Sequence, residues 1–240
     1  MLKKIRNTLR DVLFPLNYTC DLCGREVFGT NLCDDCAKTV TFNDKTTCPV
    51  CGRKTVRAEI CLECKSSPPK YKRAVSAIVY EGGGIRLVAN FKNGKAYLQE
   101  FFADRLAEKL NRLPPPDCIV YVPMTKKSLN ARGYNQTKLL AKAVSKRTNT
   151  PVIYDAVEKV KDTAAQKGLT RRERRENLKG AFKAVKRESL AGKSVLVIDD
   201  VLTTGATADE VCSAILKAGA AQVYFASVAS VEYKTIPQSK

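Results

Sequence analysis

The chain has 240 residues, 42 Lys/Arg against 24 Asp/Glu for a formal charge of +18, ten cysteines and no histidine. That length holds one full α/β domain plus a small module, no apolar run approaches the ~20 residues needed to span a bilayer, and no imidazole is available to move a proton. The charge is unevenly spread: residues 126–187 carry 18 Lys/Arg against 5 Asp/Glu, a cluster suited to polyanions such as pyrophosphate or nucleic acid.

From the N-terminus, Met1 to Pro15 carries charges throughout and has no small-residue cleavage site, so no secretory signal is expected. Leu2, Ile5, Leu9, Val12 and Leu13 predict a short amphipathic packing helix there. Eight cysteines follow as four Cys-x-x-Cys pairs: Cys20/Cys23, Cys33/Cys36, Cys48/Cys51 and Cys61/Cys64. Cys-Asp-Leu-Cys-Gly-Arg and Cys-Pro-Val-Cys-Gly-Arg repeat at an offset of 28 residues, an internal duplication. Two residues between thiolates form a zinc knuckle, and two knuckles complete a tetrahedral four-sulfur shell. A secreted disulfide framework is the competing reading, disfavoured by the missing signal and the uniform spacing. The repeat predicts sequential pairing, Cys20, Cys23, Cys33 and Cys36 on one ion and Cys48, Cys51, Cys61 and Cys64 on the other, with a cross-braced arrangement as the alternative. Such closed sites are structural, the module should unfold without zinc, and free thiolates imply a reducing, cytoplasmic location.

Ser66-Ser-Pro-Pro69 marks a boundary, giving a zinc module over 1–66 and an α/β domain over 70–240. Ala74 to Tyr80 and Gly84 to Val88 flank a Gly-rich turn and predict a hairpin, the second arm alternatively opening a helix. A helix with Phe102, Leu106 and Leu110 on one face is stopped by Pro114-Pro-Pro116. Cys118 to Val122 reads as a buried strand. The loop after it offers Lys126, Lys127 and Arg132 as donors to a diphosphate, and a helix carrying Leu139, Leu140, Ala143 and Val144 follows. Pro151 to Tyr154 predicts another strand. Lys159 to Leu169 is polar with little periodicity, and Thr170 with Glu173 forms a capping box, so a mobile basic flap and a short basic helix are expected.

Val195 to Ile198, four branched apolar residues, read as a central parallel strand with Asp199 and Asp200 at its carboxyl end. The turn Thr203-Thr-Gly-Ala-Thr207 leads into a helix with Ala208, Val211, Cys212, Ile215 and Leu216 on one stripe, ending near Gly219. Strand, hydroxyl-rich turn and helix together leave backbone N–H groups and the positive end of a helix dipole for an anion of phosphate size. The paired acids suit ribose hydroxyls, or Mg²⁺ held with them and a pyrophosphate. A phosphorylated sugar fits better than a nucleoside triphosphate, whose Gly-x-x-x-x-Gly-Lys loop is missing. Cys118 and Cys212 fall in apolar patterns and read as core.

The run Val195 to Thr207 resembles the 5-phosphoribosyl-1-pyrophosphate (PRPP) loop of type I phosphoribosyltransferases. Together with the four knuckles, Arg132-Gly-Tyr-Asn-Gln136, Lys161-Asp-Thr-Ala-Ala-Gln166 and Arg172 to Phe182, it makes the whole chain similar to the ComF family of competence-associated, phosphoribosyltransferase-like proteins. The resemblance implies a Rossmann-like parallel sheet flanked by helices behind an N-terminal zinc module. It implies Mg²⁺ and PRPP at Asp199 and Asp200, the 5′-phosphate at Thr203, Thr204, Gly205, Ala206 and Thr207, and the diphosphate near Lys126, Lys127, Arg132 and Lys161. Catalytic roles, if PRPP is turned over, fall to Asp199, Asp200, Arg132 and Lys161. Single-stranded DNA and competence-machinery proteins are the implied partners. Thr203 stands where purine-salvage relatives carry an acid, which disfavours hypoxanthine and guanine. Three readings stand side by side: phosphoribosyl transfer with pyrophosphate release during DNA uptake, PRPP sensing without turnover, and nucleobase salvage unrelated to DNA.

Overall fold

The computed structural model describes residues 19–44, 46–161 and 170–232. The N-terminal amphipathic helix and most of the polar flap, 162–169, lie outside the described residues. Four parallel strands form the main sheet in the order β1 (Ala74–Val79), β6 (Gln222–Ser230), β5 (Ser194–Leu202) and β2 (Cys118–Tyr121). The central strand is longer than the four residues expected, because β6 continues to pair with it as far as Leu202 opposite Ser230.

Period-two alternation splits the apolar residues of β5 between the sheet faces. Val195 and Val197 join one core cluster, Leu196 and Ile198 the other. The second face is covered by α3 (Gly82–Lys92), α4 (Leu98–Leu110) and α6 (Gln136–Thr148), through Leu87, Phe91, Phe102, Leu106, Leu140 and Val144. The first face is covered by α9 (Ala206–Lys217), through Val211, Cys212 and Ile215, by Leu190 of the short α8 (Arg187–Leu190), and by a two-stranded antiparallel sheet of β3 (Val157–Lys159) and β4 (Phe182–Ala184). Each fully buried Leu, Ile or Phe contributes ~1.5–3 kcal/mol. Cys118 and Cys212 are buried among them.

The hairpin expected of Ala74 to Tyr80 with Gly84 to Val88 does not form; the alternative, a second arm opening a helix, is the one found, as α3. Leu87, Val88 and Phe91 are all buried, a helical stripe, and a chain leaving β1 for a parallel sheet needs a crossover rather than a hairpin. Gly84 serves close approach: a Cβ there would stand 2.5 Å from the Val79 carbonyl. The strand expected at Pro151 to Tyr154 reduces to one parallel bridge, Ile119 with Val152, since Asp155 turns the chain away with φ 51°. The capping box forms as expected, Thr170 accepting from Glu173 and opening α7 (Arg171–Leu178).

The two cysteine repeats straddle the β1 edge. Cys20, Leu22, Val27 and Val40 pack into the α3 side, whereas Cys48, Cys51, Cys61 and Cys64 pack into the α9 side with Tyr71 and Phe225. Between the repeats, Phe42 bridges Ile78 antiparallel, and the Asn43 N–H donates to the Ala77 carbonyl at 3.0 Å, covering an otherwise open sheet edge.

Candidate functional site

β2 pairs with β5 only as far as Tyr121 opposite Ile198, so from Asp199 onward β5 has a ladder on one side only. On the open side lies a cavity of about 390 Å³ lined by Asp199, Asp200, Thr207, Arg132, Gln136 and Lys92, with Pro123 to Thr125, Lys159 and Phe182 completing the wall. A second hollow, of about 540 Å³, adjoins it at Lys92 and Arg132.

Asp199 is buried and accepts a hydrogen bond from the Asp200 N–H at 2.8 Å. Burial first, and the neighbouring Asp200 carboxylate second, push its pKa up to about 8; the Asp200 N–H and Lys92 act in the opposite direction. Asp199 has no salt bridge among the described residues, whereas Asp200 pairs with Lys92 at 3.0 Å and accepts from the Gln136 side-chain amide. Arg132 donates to the Gln136 oxygen at 2.6 Å. Arg132, Gln136, Asp200 and Lys92 thus form one polar chain along the cavity wall. At the other side, Gly205 is the N-cap of α9 with φ 82° and no side-chain cap, a conformation that favours glycine. The backbone N–H groups of Thr203, Thr204 and Gly205 have no acceptor among the described residues. Unpaired donors at the positive end of a twelve-residue helix make an anion cradle.

Both cysteine sets are assembled, sequentially rather than cross-braced. The sulfurs of Cys20, Cys23, Cys33 and Cys36 lie within 4.8 Å of one another, as do those of Cys48, Cys51, Cys61 and Cys64. A tetrahedral shell with Zn–S of about 2.3 Å places its sulfurs about 3.8 Å apart; Cys23 to Cys33 is 3.7 Å and Cys51 to Cys61 is 3.8 Å. The residues fit structural zinc, and the duplication extends to individual bonds. Gly24 N–H donates to the Cys20 carbonyl and Gly52 N–H to the Cys48 carbonyl, both at 2.9 Å. Short helices α1 (Asp34–Ala37) and α2 (Leu62–Ser66) start from Cys33 and Cys61.

A double zinc ribbon domain family matches residues 9–65 and a phosphoribosyl transferase domain family residues 102–240. Competence protein F of Haemophilus influenzae is 36% identical over 124 residues, covering 51% of this chain and 54% of that protein. DNA utilization protein YhgH of Escherichia coli K12 is 32% identical over 163 residues, 65% of this chain and 71% of that protein. The chain belongs to the ComF family. This ComF-family chain spans about half the length of the Haemophilus relative it matches. Among solved structures, a glutamine PRPP amidotransferase from B. subtilis overlays with a TM-score of 0.39 at 18% identity, over 55% of this chain and 26% of its own, too loosely to carry weight.

Of the residues picked out in the ComF-like sequence, the cavity brings together Asp199, Asp200, Thr207 and Arg132. Thr203, Thr204, Gly205 and Ala206 form the adjoining turn and the start of α9. Lys126 and Lys127 are exposed in the first turn of α5 (Lys126–Arg132) and stand outside the cavity lining. Lys161 is drawn elsewhere, donating to the Lys179 carbonyl at 2.9 Å. Sequence reading missed Lys92, Gln136 and Lys159. Gln136 was within reach as the last residue of the Arg132-to-Gln136 run. Lys92 gave no local signal, since its position depends on α3 being a helix.

Proposed function

We propose that this protein binds PRPP with Mg²⁺ in the cavity and acts in the handling of DNA during uptake, with residues 1–66 as the zinc module and 70–240 as the phosphoribosyltransferase-like domain. The observation that carries the first half is the juxtaposition of an acid pair, a polar cavity and an uncapped helix N-terminus. Asp199 and Asp200 would hold the ribose hydroxyls and the Mg²⁺, which supplies charge neutralisation to the diphosphate. The N–H groups from Thr203 to Gly205 would hold the 5′-phosphate and fix the ring, while Arg132 would face the diphosphate as negative charge grows on it. Lys92 already neutralises Asp200, so the ligand's cation must displace or share that ammonium. Histidine is absent from the chain, so any proton transfer to or from an acceptor would fall to other groups, and PRPP sensing without turnover stands as the second reading. Pyrophosphate release from PRPP, assayed across a panel of nucleobases, separates the two: release with one base makes it a transferase, binding without release a sensor.

The DNA half rests on the names of the relatives and on surface charge. Not all of the basic surplus is free for DNA. In α7, Arg174 donates to the Thr203 hydroxyl at 3.3 Å and Arg175 to the Ser67 hydroxyl at 3.0 Å. In α6, by contrast, Lys138, Lys142 and Lys146 recur every four residues on one face of a helix with no acidic residue. Lys142 and Lys146 are exposed and without an ion pair among the described residues. Lys138 lies 5.6 Å from the ring centroid of the exposed Tyr154 and pairs with Asp155 at 3.5 Å, so Lys142 and Lys146 are the cations of this face open to a single strand, with Tyr154 exposed for stacking. Competence-machinery proteins remain the proposed protein partners. Among the described residues no helix is long and apolar enough to cross a membrane.

A further inference from the structure

One side chain joins the second zinc ribbon to the candidate site. Arg53 is buried, 2% exposed. Its Nη1 pairs with Glu63 at 2.7 Å, and its Nη2 donates to the carbonyl of Thr203, the first residue of the turn before α9. The guanidinium lies 3.9 Å from where a Cβ on Gly205 would stand. Glu63 sits in α2 between the ligands Cys61 and Cys64, so the zinc site fixes the carboxylate, the carboxylate fixes the arginine, and the arginine holds the turn.

The duplication supplies an internal reference. The corresponding pair in the first ribbon, Arg25 with Asp35, is also closed at 2.8 Å, with both side chains more than half exposed. An ion pair that served only the ribbon could remain in water, as that one does. In the second ribbon it is buried, and Arg53 Nε has no partner among the described residues, an arrangement that costs stability but fixes a donor beneath the turn.

We propose that Arg53 is a positioning residue for the anion cradle. By holding the Thr203 carbonyl on the ribbon side, it keeps that partial negative charge away from a bound phosphate and leaves the following N–H groups to the ligand. The proposal rests on the PRPP reading given above and adds that the second ribbon, unlike the first, is part of the site.

Calorimetry with three probes tests it: PRPP with Mg²⁺, ribose 5-phosphate, and inorganic pyrophosphate, each titrated into the full chain and into Arg53→Lys, which keeps the charge but loses the two-pronged geometry. The expected result is that PRPP and ribose 5-phosphate bind about tenfold more weakly, the value of one ~1.4 kcal/mol hydrogen bond. Pyrophosphate affinity and a zinc content of two per chain should be unchanged, and Arg25→Lys should change none of the three. If Arg53→Lys does not fold, Glu63→Gln, which loosens the arginine without removing it, should show the same selectivity at smaller size. Unchanged ribose 5-phosphate affinity in a folded variant overturns the inference and leaves the PRPP reading intact. Parallel loss of all three ligands with zinc overturns it as well, reducing Arg53 to a purely structural role. Failure of the unmodified chain to bind PRPP removes the reading on which the inference stands.

Discussion

In the first ribbon Cys23 is exposed and Cys33 and Cys36 are half-buried, while in the second all four cysteines are buried in the core that also holds Val195, Val197 and Phe225. Sequence spacing, backbone bonds and sulfur geometry are the same in both, so the contrast comes from the surroundings alone. A zinc knuckle specifies its own shape; what its side chains can do for the rest of the molecule depends on which face of the sheet it meets.

That contrast can be broken most severely at the metal. Structural zinc contributes ~10 kcal/mol or more to the folding of small modules, comparable with the ~5–15 kcal/mol stability of a whole domain. Cys61→Ser should therefore abolish the second site and collapse cooperative unfolding of the entire domain, whereas the matching Cys33→Ser should release one zinc and leave the main melting transition in place. Zinc content and thermal unfolding by circular dichroism check this, and equal falls in both variants would erase the distinction. One step smaller is the ion pair. Arg53→Ala strands Glu63 in the interior and should cost ~3 kcal/mol, measurable as a shifted denaturant midpoint. Arg25→Ala removes a partner from a pair that water already screens and should leave that midpoint unmoved.

The duplication, the zinc sets and the acid pair on the buried central strand were all legible in the sequence, because each is a local pattern whose spacing carries its chemistry, although the strand runs past the pair to Leu202. Arg53 was visible only as the last residue of a repeated Cys-Gly-Arg. Nothing in that repeat told it apart from Arg25, since its hydrogen bond to Thr203 spans 150 residues. Lys92 was missed for a related reason: with Gly84 to Val88 left open between strand and helix, the end of α3 could not be placed beside Asp200. Lys161, a lysine in a recognisable motif, donates to the Lys179 carbonyl, a contact the motif did not foretell.

The acid pair should respond to pH. Asp199 keeps its proton up to about 8, against an ordinary 3.8, so the folded chain binds a proton that the unfolded chain has already released. Unfolding free energy should accordingly fall as pH rises between those values, and Asp199→Asn should flatten the slope. On the proposed reading Mg²⁺–PRPP would bind the ionised form, so affinity should rise over the upper part of the same window with release of a proton, seen as a buffer-dependent heat. An affinity independent of pH from 6 to 9 would contradict this.

The smallest effect is expected on the face shared with the first ribbon. Replacing Lys138, Lys142 and Lys146 by Ala should reduce the slope of log K against log salt for single-stranded DNA by about 0.7 for each phosphate no longer neutralised, with PRPP affinity unaltered. If the salt slope stays the same, the α6 face does not touch DNA.

The most direct measurement is calorimetric titration of Mg²⁺–PRPP into the unmodified chain and into Asp199→Asn combined with Asp200→Asn, at constant zinc content. The account predicts saturable binding to the first and none to the second; equal affinity in both would contradict the assignment of this acid pair to a ribose-phosphate ligand.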